Sequence, residues 1–151
     1  MIRTATAIGV LSLAGAAHAD VLYGMSSITQ DGQVFVFDFA AVSLSDGAGV
    51  ITVEALGDYS VFPPSLETMT WDVDGIASDV GFADSAFSGP VDLFQNHAIQ
   101  SWTISAADMA AITADGLVTI TLTNSSAVNY YSDQSDWISV TLEYPAVPAP
   151  A

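Results

Sequence analysis

The segment from Tyr130 to Trp137 concentrates the side chains of this chain that are best suited to hold a ligand. Its polar members offer carboxylate, hydroxyl and amide oxygens, which are the ligands that hard cations such as Ca²⁺ prefer. Its aromatic rings offer apolar faces against which a sugar ring can stack. Two ordinary alternatives exist: a polar loop whose Asp and Ser side chains bond their own backbone, and rings that cover the edge of a sheet.

Alternation in the stretch after this segment decides which way Trp137 points. If Ile138, Val140 and Leu142 face the core, the intervening residues and Trp137 face outward. Tyr130 and Tyr131 precede this ring in the loop. We therefore predict Tyr130, Tyr131 and Trp137 as ligand-binding residues, with a polysaccharide or a surface protein as the partner.

No arrangement in the sequence is typical of an enzyme. The chain has no cysteine and only two histidines, and it lacks the G-x-S-x-G motif of serine hydrolases. His97 is interpreted as a surface residue ahead of a strand. With seventeen carboxylates, a pair at the separation needed for glycoside hydrolysis arises by chance. A non-catalytic protein is expected, and a glycan hydrolase is the least favoured function.

The distribution of charge excludes several classes of partner. Arg3 is the only Lys or Arg residue, and every one of the seventeen acids follows it. A surface without fixed cations cannot neutralise phosphates, so nucleic acid and anionic membrane surfaces are excluded as partners. The acidity itself has two open explanations, which are adaptation to a saline habitat and a dedicated cation site.

The first nineteen residues have the features of a secretory signal peptide. Met1-Ile2-Arg3 forms a short positive start, and the following residues to Ala16 are small and apolar. Ala17-His18-Ala19 matches the small-x-small cleavage pattern, which places the mature start at Asp20. We predict an exported protein that is extracellular or associated with the cell envelope.

Period-two alternation dominates the rest of the chain and predicts β-strands with one dry and one wet face. Short turn signals separate these runs, among them Asp74-Gly75, which predicts a type I′ hairpin turn. Many short strands with such punctuation favour an antiparallel β-sandwich or jelly roll. The alternating runs are Val34–Phe39, Ile51–Ala55, Thr68–Val73, Val118–Thr123 and Ile138–Tyr144.

One segment, at about 105–115, predicts a short helix. Ser105 can cap it, Asp108 stands at the capping-box position and Gly116 ends it. After Tyr144 the alternation stops, and residues 145–151 are rich in proline. We therefore predict a sandwich domain over residues 20–144, followed by a Pro-rich tail over residues 145–151.

That tail, Val147-Pro148-Ala149-Pro150-Ala151, resembles the start of the PEP-CTERM or VPxPA-type sorting signal of exported bacterial surface proteins. In that signal the motif precedes an apolar membrane helix and an arginine cluster, neither of which follows here. The resemblance implies processing at the envelope and association with exopolysaccharide. A plain proline-rich terminus implies free secretion instead.

The body of the chain is similar to β-sandwich domains of jelly-roll or CUB-like type found in such proteins. The stretches that carry this likeness are TMTWDVDGI, the segment Trp102–Asn129 and WISVTLEY. In calcium-binding CUB domains a glutamate near a strand start and aspartates of a late loop share one ion. By analogy the resemblance implies that Glu67, Asp133 and Asp136 bind calcium here.

Three functions follow from these observations. The first is a non-catalytic surface or extracellular-matrix domain that binds polysaccharide or a surface partner, with calcium as a possible aid. The second is a structural protein whose strand edges or N-terminal segment pair with another copy, so that an oligomer forms. The third is the glycan hydrolase, for which the sequence offers no specific group of residues.

Overall fold

A computed structural model describes residues 6–10, 18–59, 66–82, 87–90, 95–132 and 135–147, with only the backbone of residues 6–10, 18 and 87–90 described. Ten strands and one helix lie in these ranges. In chain order they are β1 (Thr6–Val10), β2 (His18–Ser27), β3 (Val34–Ala40), β4 (Gly49–Gly57), β5 (Met69–Val73), β6 (Ala77–Gly81), β7 (Phe87–Pro90), β8 (Asn96–Ile104), α1 (Ala106–Ile112), β9 (Leu117–Asn124) and β10 (Trp137–Ala146).

The strands form two antiparallel sheets. The large sheet has six strands in the order β1-β2-β10-β4-β8-β7, and the small sheet has four in the order β3-β9-β5-β6. Without β1 and β7 each sheet keeps four strands, and the chain passes between the sheets as in a jelly roll. The predicted all-β antiparallel sandwich of jelly-roll or CUB-like type, with one short helix, is confirmed.

The core lies between the two sheets and follows from the alternation in the sequence. Phe35, Phe37 and Phe39 face inward from β3, and Ile51, Val53 and Ala55 do the same from β4. From β10, Ile138, Val140 and Leu142 complete the same layer. Burial of these side chains supplies the main stabilising free energy of a chain without disulfides.

The helix α1 links the large sheet to the small one and begins where the sequence predicts. The Ser105 hydroxyl accepts a hydrogen bond from the Asp108 backbone N–H at 3.2 Å and donates one to the Asp108 carboxylate at 2.7 Å. Met109 and Ile112 bury its apolar side. After the helix, Gly116 takes a φ of 77°, which only glycine adopts without strain.

The turn between β5 and β6 also has the predicted form. Asp74 and Gly75 both have positive φ, at 53° and 69°. The Ile76 N–H donates to the Val73 carbonyl oxygen at 2.9 Å, which closes a type I′ turn. The Asp72 carboxylate accepts from the Gly75 N–H at 2.9 Å, so Asp72 serves the turn.

The structure describes parts of both predicted processing regions. β1 lies in the predicted signal peptide and pairs with β2, and the predicted cut before Asp20 falls within β2. At the other end, β10 continues through Pro145 and Ala146, two residues beyond the predicted boundary. A proline is tolerated there because the pairing of β10 with β4 ends at Glu143. Signal cleavage and the sorting tail, most of which lies outside the described residues, stay predictions.

Within the described ranges, no helix has the length and apolar character needed to span a bilayer.

Candidate ligand-binding surface

The ring of Trp137 lies on the outer face of the large sheet, as the alternation predicts. Trp137 opens β10, which runs between β2 and β4. The next residue, Ile138, is fully buried, while Trp137 itself is half-buried. Because β10 has hydrogen-bonded neighbours on both sides, the backbone that carries the ring is fixed.

Trp137, Leu56, His97 and Glu54 form a compact group that we call the platform. Leu56 on β4 is the register partner of both Trp137 on β10 and His97 on β8, so it lies between them in the sheet. The imidazole and indole centroids are 6.2 Å apart, with the rings tilted by 53°. The platform is therefore a continuous aromatic and apolar area across three adjacent strands.

Glu54 holds the imidazole in place. His97 Nε2 lies 2.6 Å from Glu54 Oε1, which is a short hydrogen bond, or an ion pair when the imidazole is protonated. The two side chains remain 33% and 38% exposed, so a ligand on the sheet face can reach both. The interpretation of His97 as a plain surface residue is incomplete, because it contacts both a carboxylate and the predicted ligand-binding tryptophan.

Further along the same face lies a row of hydroxyl groups that ends at a second ring. Thr52 and Ser101 are register partners, and their hydroxyl oxygens are 2.8 Å apart. Thr141 on β10 continues the row, and its partner on β2 is Tyr23, which is 38% exposed. Thr141 is four residues from Trp137, so Tyr23 and Trp137 are about 14 Å apart along the strands.

Tyr130 and Tyr131 lie in an acidic loop region at the end of the sandwich. The backbone N–H of Tyr130 donates to Asp31 Oδ1 at 2.7 Å. Loss of hydration raises the pKa of Tyr131, and the carboxylates of Asp58, Glu67 and Asp31 raise it further. The structure thus brings the predicted residues Tyr131 and Glu67 into electrostatic range of each other.

Asp136 occupies a different environment from the exposed polar loop that the sequence indicates. It is only 3% exposed, and its Oδ1 accepts a hydrogen bond from the Gln95 amide at 2.7 Å. Nearby, the buried Tyr59 hydroxyl donates to Asn124 Oδ1 at 2.9 Å. Burial and the negative charge of Asp136 both raise the pKa of Tyr59, although the bond to Asn124 opposes this. Asp136 is thus part of a buried polar group beneath the loops.

Two of the three predicted calcium ligands, Glu67 and Asp136, lie in the part of the chain that the structure describes. Asp133 lies outside the described residues, and Glu67 is half-exposed whereas Asp136 is buried. Among the described residues, no three His, Cys, Asp or Glu side chains form a group that could hold a metal ion. Calcium binding by Glu67, Asp133 and Asp136 stays a prediction.

Comparison with known proteins gives one structural likeness. No protein-family model matches the chain, and no curated protein matches it either. A solved structure of similar fold is the carbohydrate-binding module CBM27-1 of Caldicellulosiruptor saccharolyticus in complex with mannohexaose. The likeness covers 97% of this chain and 84% of that one, at 10% identity and a TM-score of 0.43. At this level it bears on neither ligand nor site, which rest on the geometry above.

Proposed function

We propose that this protein is a non-catalytic exported module that binds a neutral polysaccharide on the outer face of its large sheet. The observation that carries the proposal is the platform, where Trp137 is packed against an imidazole that Glu54 holds at 2.6 Å. A fixed, partly exposed indole offers a flat apolar face for a sugar ring at a low cost in side-chain entropy.

The polar groups beside the platform suit a neutral ligand with many hydroxyls. Glu54 and His97 can accept and donate hydrogen bonds, and the hydroxyls of Thr52, Ser101 and Thr141 can do both. The described residues contain no Lys or Arg, so an anionic polysaccharide meets repulsion and no charged clamp. A neutral polysaccharide is not repelled by the carboxylates and needs no charged clamp.

The second ring defines the length of ligand that the face accommodates. Tyr23 lies about 14 Å from Trp137 along the strands, at the same level of the sheet as the hydroxyl row of Thr141, Thr52 and Ser101. A chain of several sugar units can contact both rings at once, whereas a short oligomer contacts one. Affinity is therefore expected to rise with chain length until both rings are engaged.

The test is calorimetric titration of the protein with neutral glucan, xylan and mannan oligomers, with alginate as the anionic comparison. Trp137→Ala should weaken binding of the preferred neutral oligomer at least tenfold, because it removes the stacking ring. Trp102→Ala is the matched control, since Trp102 is also half-buried but faces the other side of the sheet, and it should change affinity less than twofold. Unchanged affinity in Trp137→Ala, or no binding of any neutral oligomer, would overturn the proposal.

Self-assembly through a strand edge is a second candidate, and the position of β1 favours it. β1 pairs antiparallel with β2, from Thr6 opposite Met25 to Val10 opposite Leu22, and thereby covers the outer edge of the large sheet. If the predicted signal peptide is removed before Asp20, this edge loses its partner strand. An open edge of this kind can pair with a strand of another copy.

Sedimentation at increasing concentration tests the second candidate. The secreted form that begins at Asp20 should associate, whereas the chain that retains residues 1–19 should stay monomeric. Monomers of both forms over the whole concentration range would contradict it.

A further inference from the structure

A cleft opens at the side of the sandwich, away from the platform. It has a volume of about 490 Å³ and is open to solvent. β6, the last strand of the small sheet, lies on one side of it, and the end of β8 with the start of α1 lies on the other. Trp102 in this cleft is five residues from His97 on β8, or about 17 Å along the strand, so the cleft and the platform are separate.

Two tryptophans line this lateral cleft. Trp71 on β5 is 4% exposed, whereas Trp102 on β8 is half-buried, and the centroids of their rings are 5.6 Å apart with a tilt of 54°. Gly81 on β6 makes this arrangement possible, because a Cβ atom there would lie 2.7 Å from Cη2 of Trp102. The Trp102 ring thus lies against the backbone of Gly81 and presents its remaining surface to the cleft.

The charged groups of the cleft are all negative. Asp79 is the register partner of Trp71 across the β5–β6 pair, and it is exposed. Asp108 lies at the start of α1, where one of its carboxylate oxygens already accepts from Ser105. The described residues contain no Lys or Arg to neutralise them. The cleft therefore repels anions and favours a cationic group, which the face of Trp102 also attracts.

We propose that the lateral cleft binds a saccharide residue that carries a protonated amino group. The ammonium group pairs with Asp79 and Asp108, and one face of the sugar ring stacks on Trp102. This rests on the proposed function only in taking the ligand to be a saccharide. It adds a second site with a different charge preference from that of the platform.

Titration with glucosamine oligomers tests this, with N-acetylglucosamine oligomers of equal length as the uncharged comparison. The Trp137→Ala variant, whose platform lacks its stacking ring, should bind the amino form saturably and at least tenfold more tightly than the acetylated form. Trp102→Ala should weaken binding of the amino form at least tenfold, and Trp137→Ala should change it less than twofold. Equal binding of the two oligomers by the Trp137→Ala variant, or no saturable binding of the amino form, would overturn the proposal.

General attraction of a cation to a chain of net charge −16 must be separated from binding in the cleft. Asp79→Asn removes one charge inside the cleft and keeps the oxygen that accepts from the Val80 N–H. Asp46→Asn removes one charge from an exposed position outside it. Asp79→Asn should weaken binding at least fivefold and Asp46→Asn less than twofold, whereas equal effects would overturn the proposal.

These outcomes are independent of the platform. Loss of the amino-sugar site with intact binding of neutral oligomers at Trp137 would remove this proposal alone. The reverse result would remove the proposed function and leave the cleft as a cation-selective site.

Discussion

Trp137 and Trp102 stand on the same sheet, yet their surroundings differ in a way that predicts different ligands. Trp137 points outward from a strand with neighbours on both sides, and the carboxylate beside it is bonded to His97. Trp102 points inward near an edge, where Asp79 has no cationic neighbour among the described residues. The rings are alike, so the charge state of the groups around them determines whether a neutral or a cationic sugar is preferred.

The largest expected effect is the loss of stability in Asp136→Ala, which should affect the platform more than the lateral cleft. Asp136 directly precedes Trp137, and its carboxylate accepts from the buried Gln95 amide. Asp136→Ala should lower the free energy of unfolding by about 2 kcal/mol, because a buried donor loses its acceptor. It should also weaken binding at the platform more than binding in the cleft. Urea unfolding, followed by titration of the folded variant, measures both.

Asp136→Asn is the matched control, since it keeps an oxygen for Gln95, and it should destabilise the protein much less.

The predicted calcium site allows a second measurement in the same region. If Glu67, Asp133 and Asp136 bind the ion, calcium should raise the free energy of unfolding saturably, by about 2.7 kcal/mol at a hundredfold excess over the dissociation constant. Asp133→Asn should then remove the rise, and equal effects of calcium and sodium at matched ionic strength would exclude the site.

Gly81→Ala should change the cleft and leave the platform intact. The added methyl group would lie 2.7 Å from the Trp102 ring, which must move away from residue 81. Such overpacking costs about 1–3 kcal/mol. We expect a lower melting temperature and at least fivefold weaker binding of glucosamine oligomers, with unchanged affinity for neutral oligomers. If the variant binds the amino sugar normally, the contact between Trp102 and Gly81 is unimportant for binding in the cleft.

Glu54→Gln should have a smaller effect, confined to the platform. The substitution keeps the size of the side chain but removes the charge that holds His97 at 2.6 Å. We expect about threefold weaker binding of neutral oligomers and a change in stability below about 1 kcal/mol, since the pair is partly exposed. Glu143→Gln is the control, because Glu143 is exposed on the same strand as Trp137 but has no part in the platform. Equal losses in the two variants would remove the special role of the pair.

Asp74→Asn should have the smallest effect and touch neither surface. Burial raises the pKa of Asp74, and nearby carboxylates raise it further, although the bond from the Thr119 N–H opposes this. A raised pKa means that the ionised form is disfavoured in the folded protein, so stability falls as the pH rises through the range above 3.8. The variant should melt slightly higher than the wild type at pH 7, and this difference should shrink towards pH 3.

Local patterns in the sequence were sufficient for β3, β4, β5, β9 and β10, for the helix and for the outward position of Trp137, whereas β1, β2, β6 and β7 were not predicted. Each depends on residues close together in the chain, such as Ser105 with Asp108 or Trp137 with Ile138. The type I′ turn at Asp74-Gly75 is predictable for the same reason.

The partners of the site residues depend on strand register, which local patterns do not specify. Glu54 and His97 are 43 residues apart in sequence and meet only because β4 pairs with β8 in one register. The burial of Asp136 likewise depends on Gln95, 41 residues away. A tryptophan that opens an alternating strand was a usable signal, whereas the cleft between Trp71 and Trp102 had none.

The three tryptophan indole N–H signals in a nitrogen–proton correlation spectrum offer the most direct test, because the chain has three tryptophans. Trp137→Phe and Trp102→Phe would assign them, and the wild-type protein would then be titrated with a neutral oligomer. We expect the Trp137 signal to shift saturably while those of Trp71 and Trp102 stay in place. A neutral oligomer that shifts the Trp71 and Trp102 signals, or that binds without moving Trp137, would contradict this expectation.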